Sequence, residues 1–365
     1  MSSESSMVLL GIGTAGSAIA RGVERAFGGG LRLVTADTDA STGEAGGTFT
    51  LLGGDRLSGR GAGGDVVAGR LAAEDSVKVL DEHLDGVRLA VIVTALGGGT
   101  GGGATLEAAK HLSARGIPSI VFATTPFAFE REDRQRNARG VMSMIEDAAN
   151  ATFFLPLDKL VADADNMQEA MRRAVDTVAS GVTLFWRLVE RPGYIRLDTE
   201  RLRHIVSGAG RGRFATVTAQ GPGRAEEVVD KLIRSEMLAT SSGPVRSTLC
   251  GVLAGDDLLL SEVGKIADGI RGAFAGLTFD LATVNDEDTF SGRISVVVML
   301  FESGGKAEDD ARPGGVMSGR RRKPKGALSV GPTGRGRFKN AEPTIWNGED
   351  LDVPTFIRKN LNLDF

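Results

Sequence analysis

Six of the seven residues from Gly97 to Gly103 are glycine, and they directly follow the apolar run Leu89 to Leu96. A run of that kind reads as a buried strand, and so many glycines behind it cost backbone entropy unless something must approach the chain closely there. A phosphate chain gripped from several strand ends supplies that need, because successive bare N–H groups in glycine-rich turns form concavities for anions. Two other turns repeat the arrangement. Gly11, Gly13 and Gly16 close the first apolar run and open a helix, whose N-terminus favours an anion. Gly61, Ala62, Gly63 and Gly64 form the second of these. Taken alone, the first loop is a weak signal. GxGxxG also opens dinucleotide-binding folds, with Asp37 or Asp39 about where a ribose-binding acid belongs, and it also occurs as a plain strand-to-helix turn. A dinucleotide fold has no need of the loop at Gly97. The GxxxxGK[ST] pattern is missing from the sequence, so a P-loop is excluded.

The apolar runs MVLLG, LRLVTA, LAVIVTA, SIVFATT and ATFFLP alternate with helical stretches up to about Phe154, which predicts a parallel sheet covered by helices. Apolar Met171, Val175, Val178, Val182, Phe185 and Val189 then recur at three-to-four spacing, predicting one long helix that Arg191, Pro192 and Gly193 stop. Further strands (FATVTAQG, TLCGVLAG, LATVNDE, ISVVVMLF) and two helices (AEEVVDKLIRSEML, LSEVGKIADGIRGAF) follow. The fold class is α/β, with an expected nucleotide-binding domain over 1–166 and a central helix over 167–190. A second α/β domain is expected over 191–302, a flexible basic linker over 303–341 and a partner-binding peptide over 342–365.

A chain of 365 residues exceeds what one core usually supports, so two packed domains are expected. With 41% hydrophobic and 5% aromatic residues, the core should be aliphatic. The single cysteine, Cys250, cannot pair internally and sits in an apolar stretch that reads as a buried strand. His83, His111 and His204 lack metal-ligand spacing, which argues against a His/Cys metal enzyme. No run of about 18 apolar residues occurs and the first residues lack a secretory pattern, so the chain is expected to be cytoplasmic. The net charge of -4 hides a segregation, because Arg320, Arg321, Arg322, Lys323, Lys325, Arg335, Arg337 and Lys339 crowd the linker. As a coil, that linker would span roughly 35 Å.

The Gly97–Gly103 loop resembles the phosphate signature of the tubulin/FtsZ family, and the order of motifs around it resembles the same family over nearly the whole chain. GIGTAGSA, ADTDA and GAGGD stand for its first three loops, and TTPFAFEREDR, LPLDKL and EAMRRAVDTVASGV for its later segments. DLDVPTFIRK is similar to the family's C-terminal docking peptide. The resemblance implies a GTP/GDP site with Mg2+, formed by Gly13, Thr14, Ala15, Gly16, Ser17, Ala62, Gly63, Gly64, Gly99, Thr100 and Gly101. It further implies Glu130 on the ribose side and Arg134 on the phosphate side, against the plain alternative of an i,i+4 surface pair. Head-to-tail filaments for cell division follow from it, each subunit completing the site of the next, as does docking of a membrane tether or division regulator through residues 352–359, Asp352 to Lys359. The expected place is the division site.

Several positions depart from the family pattern. Ala18 and Leu157 stand where relatives carry asparagine, and Val175 stands where they read the base, with Asp176 one residue later and so turned by about 100°. The family's catalytic N-x-D-x-x-D loop reads Arg196-Leu197-Asp198-Thr199-Glu200-Arg201. Asp198 remains, Glu200 stands beside the lost acid, and Arg201 can only stabilise negative charge. Slow hydrolysis is therefore expected, with a nucleotide-binding scaffold filament and, remotely, a Rossmann oxidoreductase as alternatives.

Overall fold

The structure, a computed structural model, describes residues 6–45, 47–161, 166–207, 209–239, 243–274 and 276–302, together with the backbone of 345–346 and 349–350. Strands and helices alternate from the start: β1 (Met7–Ile12), α1 (Gly13–Phe27), β2 (Leu33–Asp37), β3 (Phe49–Leu51), α2 (Gly54–Leu57), α3 (Val66–Asp81), β4 (Leu89–Ala95) and α4 (Gly99–Ala114). Next come β5 (Ser119–Thr125), α5 (Glu132–Ala148), β6 (Ala151–Pro156), α6 (Leu157–Leu160), the long α7 (Met167–Glu190), and α8 (Thr199–Val206). The remainder is β7 (Gly210–Gln220), α9 (Arg224–Ile233), α10 (Glu236–Ala239), β8 (Val245–Ala254), α11 (Leu260–Ala273), β9 (Thr278–Asn285), α12 (Glu287–Phe290) and β10 (Arg293–Glu302).

One sheet of 10 strands runs in the order β3-β2-β1-β4-β5-β6-β7-β10-β8-β9. Strands β3 through β7 pair in parallel. β10 is antiparallel to both of its neighbours, while β8 and β9 pair in parallel. The expected strand and helix segments are found, with two differences. The stretch after Arg224 divides into α9 and α10, and the three-residue β3 carries no alternation that a sequence could show. The two halves of the sheet meet where β6 aligns with β7, at Ala151–Gly210, Thr152–Arg211 and Phe153–Gly212.

The faces of the sheet bury different sets of side chains. One packs α1 and α7 over β1, β4, β5 and β6, and the other packs α3, α4 and α5. A third cluster joins β8 and β10 to α9 and α11. The expected aliphatic core holds for most of this, but not at the seam. There Phe122 stacks on Phe153, Phe214 meets Phe122 and Phe301 meets Phe153 edge-on, and the fully buried Phe185 and Trp186 of α7 join the same cluster. Flat rings fill the wide gap where helix and two sheet halves converge. Gly193 must lack a side chain, since a Cβ there would lie 1.6 Å from the Thr283 carbonyl oxygen. Cys250 is buried in β8, and burial pushes its thiol up to about 12, so it is inert as a nucleophile.

The 303–341 linker and the Asp352–Lys359 peptide lie outside the described residues. In the C-terminal unit, Ile345–Trp346 pairs antiparallel with Glu349–Asp350.

A buried ion cluster ties α9 to α11. Arg224 donates Nε and Nη2 to the two oxygens of Glu262 at 2.8 and 3.0 Å and Nη1 to Asp257 at 2.6 Å. The guanidinium holds the Glu262 carboxyl below the ordinary carboxylate range. A depressed carboxylate contributes stability above its unfolded pKa, about 4.3, and loses it as pH falls through the folded value. Arg224→Met should therefore cost about 1–3 kcal/mol at neutral pH by leaving Glu262 unpaired, and the deficit should shrink below about pH 4. Urea denaturation of both proteins across that range checks this, and a deficit independent of pH would show that the ion pair is not its source.

Candidate functional site

Strands β1 and β4 lie side by side, with Ile12 opposite Thr94, so α1 and α4 begin at the same edge of the sheet. Neither N-terminus receives a side-chain cap, at Ile12 or at Gly98, leaving first-turn N–H groups for an anion. By contrast α3 is capped by Asp65, which accepts from Val67 N at 2.8 Å and Ala68 N at 3.2 Å, so its N-terminus is already satisfied.

The three glycine turns touch. A Cβ on Gly13 would meet Gly101 N at 3.4 Å, and one on Gly99 would meet Ala62 Cβ at 2.8 Å. The buried Thr94 hydroxyl lies 3.1 Å from the carbonyls of both Ile12 and Gly101, locking the first loop to the third. Thr38 and Thr100 share a hydroxyl contact of 2.6 Å. Asp37 is buried and accepts from Thr14 and Thr42, each at 2.8 Å, and from Thr38 N at 2.8 Å. Its carboxylate is thus consumed within the loop, while Asp39, the other candidate for a ribose-binding acid, accepts from Ser41 N at 2.9 Å and Ser41 Oγ at 2.7 Å.

The glycines do not all serve a ligand. A Cβ on Gly16 would lie 2.4 Å from the Val93 carbonyl oxygen, one on Gly101 2.0 Å from that of Ala95, and one on Gly103 2.3 Å from that of Val66. These positions let α1 and α4 press on β4 and on α3. Open space surrounds Gly63, Gly64 and Gly98, and the first two have φ of 58° and 86°, a region that disfavours side chains. The reading that close ligand approach explains the whole Gly97–Gly103 run is corrected accordingly, since most of its glycines are demanded by helix packing. Ser17 is also turned inward, with Oγ donating to the Gly11 carbonyl at 3.3 Å, while Thr14 and Ala15 reach the surface.

Glu130 and Arg134 form an ion pair of 2.5 Å, and Glu130 also accepts from Phe127 N at 3.0 Å. The pair borders the third loop, because a Cβ on Gly97 would meet the Arg134 Cβ at 3.4 Å. Sequence reasoning missed Asn137. Its amide donates to the Gly64 carbonyl at 2.8 Å and to that of Gly97 at 3.3 Å, bridging the second and third loops. The available signal was its place one turn beyond Arg134 on α5. Asp176 is exposed and bound to Arg172 at 2.9 Å, and no described contact joins it to the loops.

Asp198, Glu200 and Arg201 gather at the other end of the sheet. Asp198 caps α8, accepting from Arg201 N at 2.7 Å. Glu200 pairs with Arg203 at 3.1 Å and with Arg88, while Arg201 donates Nε to Asp280 at 2.8 Å. Thr199 touches Ser6 through their hydroxyls at 3.1 Å. Ser6 and Arg88 precede β1 and β4, whereas the glycine loops follow those strands. With 7 residues in β4, about 23 Å of sheet separates the groups, so one copy of the chain cannot unite them.

Among the described residues no group of three or more His, Cys, Asp and Glu could hold a metal ion, and no helix is long and apolar enough to cross a membrane. A triphosphate fits the loops: two uncapped helix N-termini, open glycines and Arg134 supply donors and positive charge without an intruding Cβ. Its Mg2+ would be held mainly by phosphate oxygens and water.

Residues 6–165 match the model of the tubulin/FtsZ family, GTPase domain. Cell division protein FtsZ of Pseudomonas putida is 28% identical over 359 residues, covering 96% of this chain and 88% of that protein. The same protein of Pseudomonas aeruginosa is 29% identical over 340 residues, covering 90% and 82%. Among solved structures, an empty FtsZ dimer of M. jannaschii superposes with a TM-score of 0.76 at 21% identity, covering 87% of this chain and 95% of that one. The GTPγS-bound protofilament of CetZ2 from Haloferax volcanii gives 0.69 at 22% identity, covering 82% and 93%.

The division of glycines can be tested without a ligand. Gly98→Ala should change stability by no more than about 0.5 kcal/mol, because its φ of -88° suits any residue and its Cβ meets nothing. Gly101→Ala should cost about 1–3 kcal/mol through overpacking against β4. Equal losses in urea denaturation would refute the assignment.

Proposed function

We propose, from the premise that this chain is a divergent member of the tubulin/FtsZ family, that it binds GTP and polymerises head to tail into filaments serving cell division. The observation that carries this reading is the separation of the glycine loops from Asp198, Glu200 and Arg201 at opposite ends of β1 and β4. A second copy stacked on the first would bring one set against the other. Such a heterologous contact repeats into an open filament. In the proposed site the first-turn N–H groups of α1 and α4 and the open glycines Gly63, Gly64 and Gly98 take the phosphates. Arg134 adds charge, and Glu130 holds it in place. Ala18, Leu157 and Val175 offer no hydrogen bond to the base, so phosphate contacts would carry most of the affinity.

Hydrolysis should be slow. A carboxylate that orients or deprotonates water must be free to do so, yet Asp198 caps a helix and Glu200 is held by two arginines. Arg201 is drawn towards Asp280 and away from any neighbour. The exposed Arg196 makes no ion pair among the described residues, which leaves its charge available to a neighbouring subunit's phosphates in this reading. These engaged partners equally favour a second reading, a filament that binds nucleotide and barely turns it over. Localisation at the division site in the cytoplasm, with a membrane tether or division regulator bound through Asp352 to Lys359, belongs to the same proposal.

Light scattering and phosphate release measured together after GTP addition separate the readings. Asp198→Asn keeps the helix cap and removes the base. It should leave polymerisation intact and lower phosphate release only modestly, because the carboxylate is already engaged in the helix cap. Unchanged release would exclude Asp198 as the base, and polymer without release from the parent would select the scaffold. Deleting residues 352–365 should preserve scattering and abolish localisation of a fluorescent fusion, and normal localisation would refute the docking role.

A further inference from the structure

Beyond Pro126, which packs against Gly97 of the third loop, a cleft of about 190 Å3 opens where α5, β6 and α6 face β7 and α10. Four cations from three elements line it: Arg139 of α5, Lys159 of α6, and Arg211 and Arg213 of β7. Arg211 and Arg213 are alternate residues of a strand and share one face. Gly212 between them faces the other way, where a Cβ would sit 2.5 Å from the Phe153 ring.

Three carboxylates stand against these four cations, Glu236 in the lining and Glu146 and Glu302 beside it, so one positive charge is left over. Glu146 stands 3.8 Å from Arg211, too far for a hydrogen bond, and burial pushes its carboxyl upward. Glu302 lies 3.0 Å from Arg213, yet the buried Arg213 Nε makes no hydrogen bond. Lys159 donates to the backbone oxygen of Glu236 at 3.2 Å. Arg139 is exposed and makes no ion pair or hydrogen bond among the described residues. Arg139 is therefore the cation left to meet an anion that enters the cleft.

Apolar side chains complete the lining: Phe154, whose ring lies 5.4 Å from the Arg211 guanidinium, with Met142, Met237, Pro126 and Pro156. A site that offers cations beside a ring and two thioethers suits an anion that carries a flat apolar group. We infer that this cleft binds a small aryl phosphate or aryl carboxylate, its anionic group held by Arg139 and Arg211 and its ring packed on Phe154 and Met237. The bound molecule would join α5 and β6, which precede the long helix α7, to β7 and α10, which follow it, and so would brace the seam between the two halves of the sheet.

The test is calorimetric titration of the full chain with 1-naphthyl phosphate at about 0.15 M salt, with excess GDP present to occupy the glycine loops. Saturable one-to-one binding is expected. Arg139→Gln, at an exposed and unpaired position, should weaken it at least threefold without changing the thermal midpoint of the free protein. The Arg139→Gln, Arg211→Gln double variant should weaken it at least tenfold, and neutral 1-naphthol should bind at least tenfold more weakly to the parent. No saturable binding, equal affinity for the double variant, or equal affinity for 1-naphthol would each overturn the inference. Loss of binding in the arginine variants assigns the site to the cleft whether or not GDP binds at the glycine loops.

Discussion

The seating of α4 on its own strand and on α3 is the contact from which the rest of the glycine-loop end follows. Gly69 would place a Cβ 2.3 Å from the Gly99 carbonyl oxygen, and Gly103 would place one 2.3 Å from that of Val66. Backbone meets backbone there, so α3 and α4 approach more closely than side chains allow. That approach brings Ala62 and Asp65 against Gly99 and carries the second loop to the third. The Thr94 and Asn137 hydrogen bonds then fix loops that packing has already gathered. Glycine's entropy cost is met by this burial, and the open positions at Gly63, Gly64 and Gly98 are what remains for a ligand.

The other structural joint is the seam between β6 and β7, where three residue pairs connect two sheet halves. Three pairs are a slender connection, and the buried aromatic side chains beside it supply what the ladder lacks. Phe122, Phe153 and Phe214 contact one another across β5, β6 and β7, while α7 lays Phe185 and Trp186 over them. Arg187 extends the same helix's reach, donating to Asp286 at 2.8 Å and to the Ala26 carbonyl at 3.0 Å. α7 thereby holds α1 and the β9 end together, so any displacement of one half against the other must repack its rings.

Much of this was legible in the sequence because the signals are local. Each of the five apolar runs before Phe154 became a strand, and the spacing of Val175, Val178, Val182 and Phe185 located α7. Pro192 and Gly193 ended it where chain geometry requires. Long-range facts were not legible. The register that joins β6 to β7, the two opposite-end positions of the loops and the trio around Asp198, and the use of Asp37 by two threonines all depend on residues far apart in the chain. Glycines in one run look alike in a sequence, and only their neighbours in space separate packing from ligand access. Asp176 shows the same limit, since its helix was readable while its capture by Arg172 was not.

The trio around Asp198 owes its arrangement to partners within its own subunit. Arg201 stands where an acid is expected, and its nearest charge is the Asp280 carboxylate of β9, which is mostly buried. Arginine there neutralises a carboxylate that would otherwise be costly to bury, so the substitution has a reason inside the fold that is independent of any neighbour. An acid at the same position would set two negative charges together. Asp280 and Arg201 therefore form a coupled pair, and the loop cannot regain its acidic character by one change without disturbing β9. Glu200, at the next position, is drawn to Arg88 beneath β4 and to Arg203 on its own helix, which turns it along the surface of this subunit. Replacing Arg201 by an acid would therefore leave Asp280 without its partner unless Asp280 changed with it.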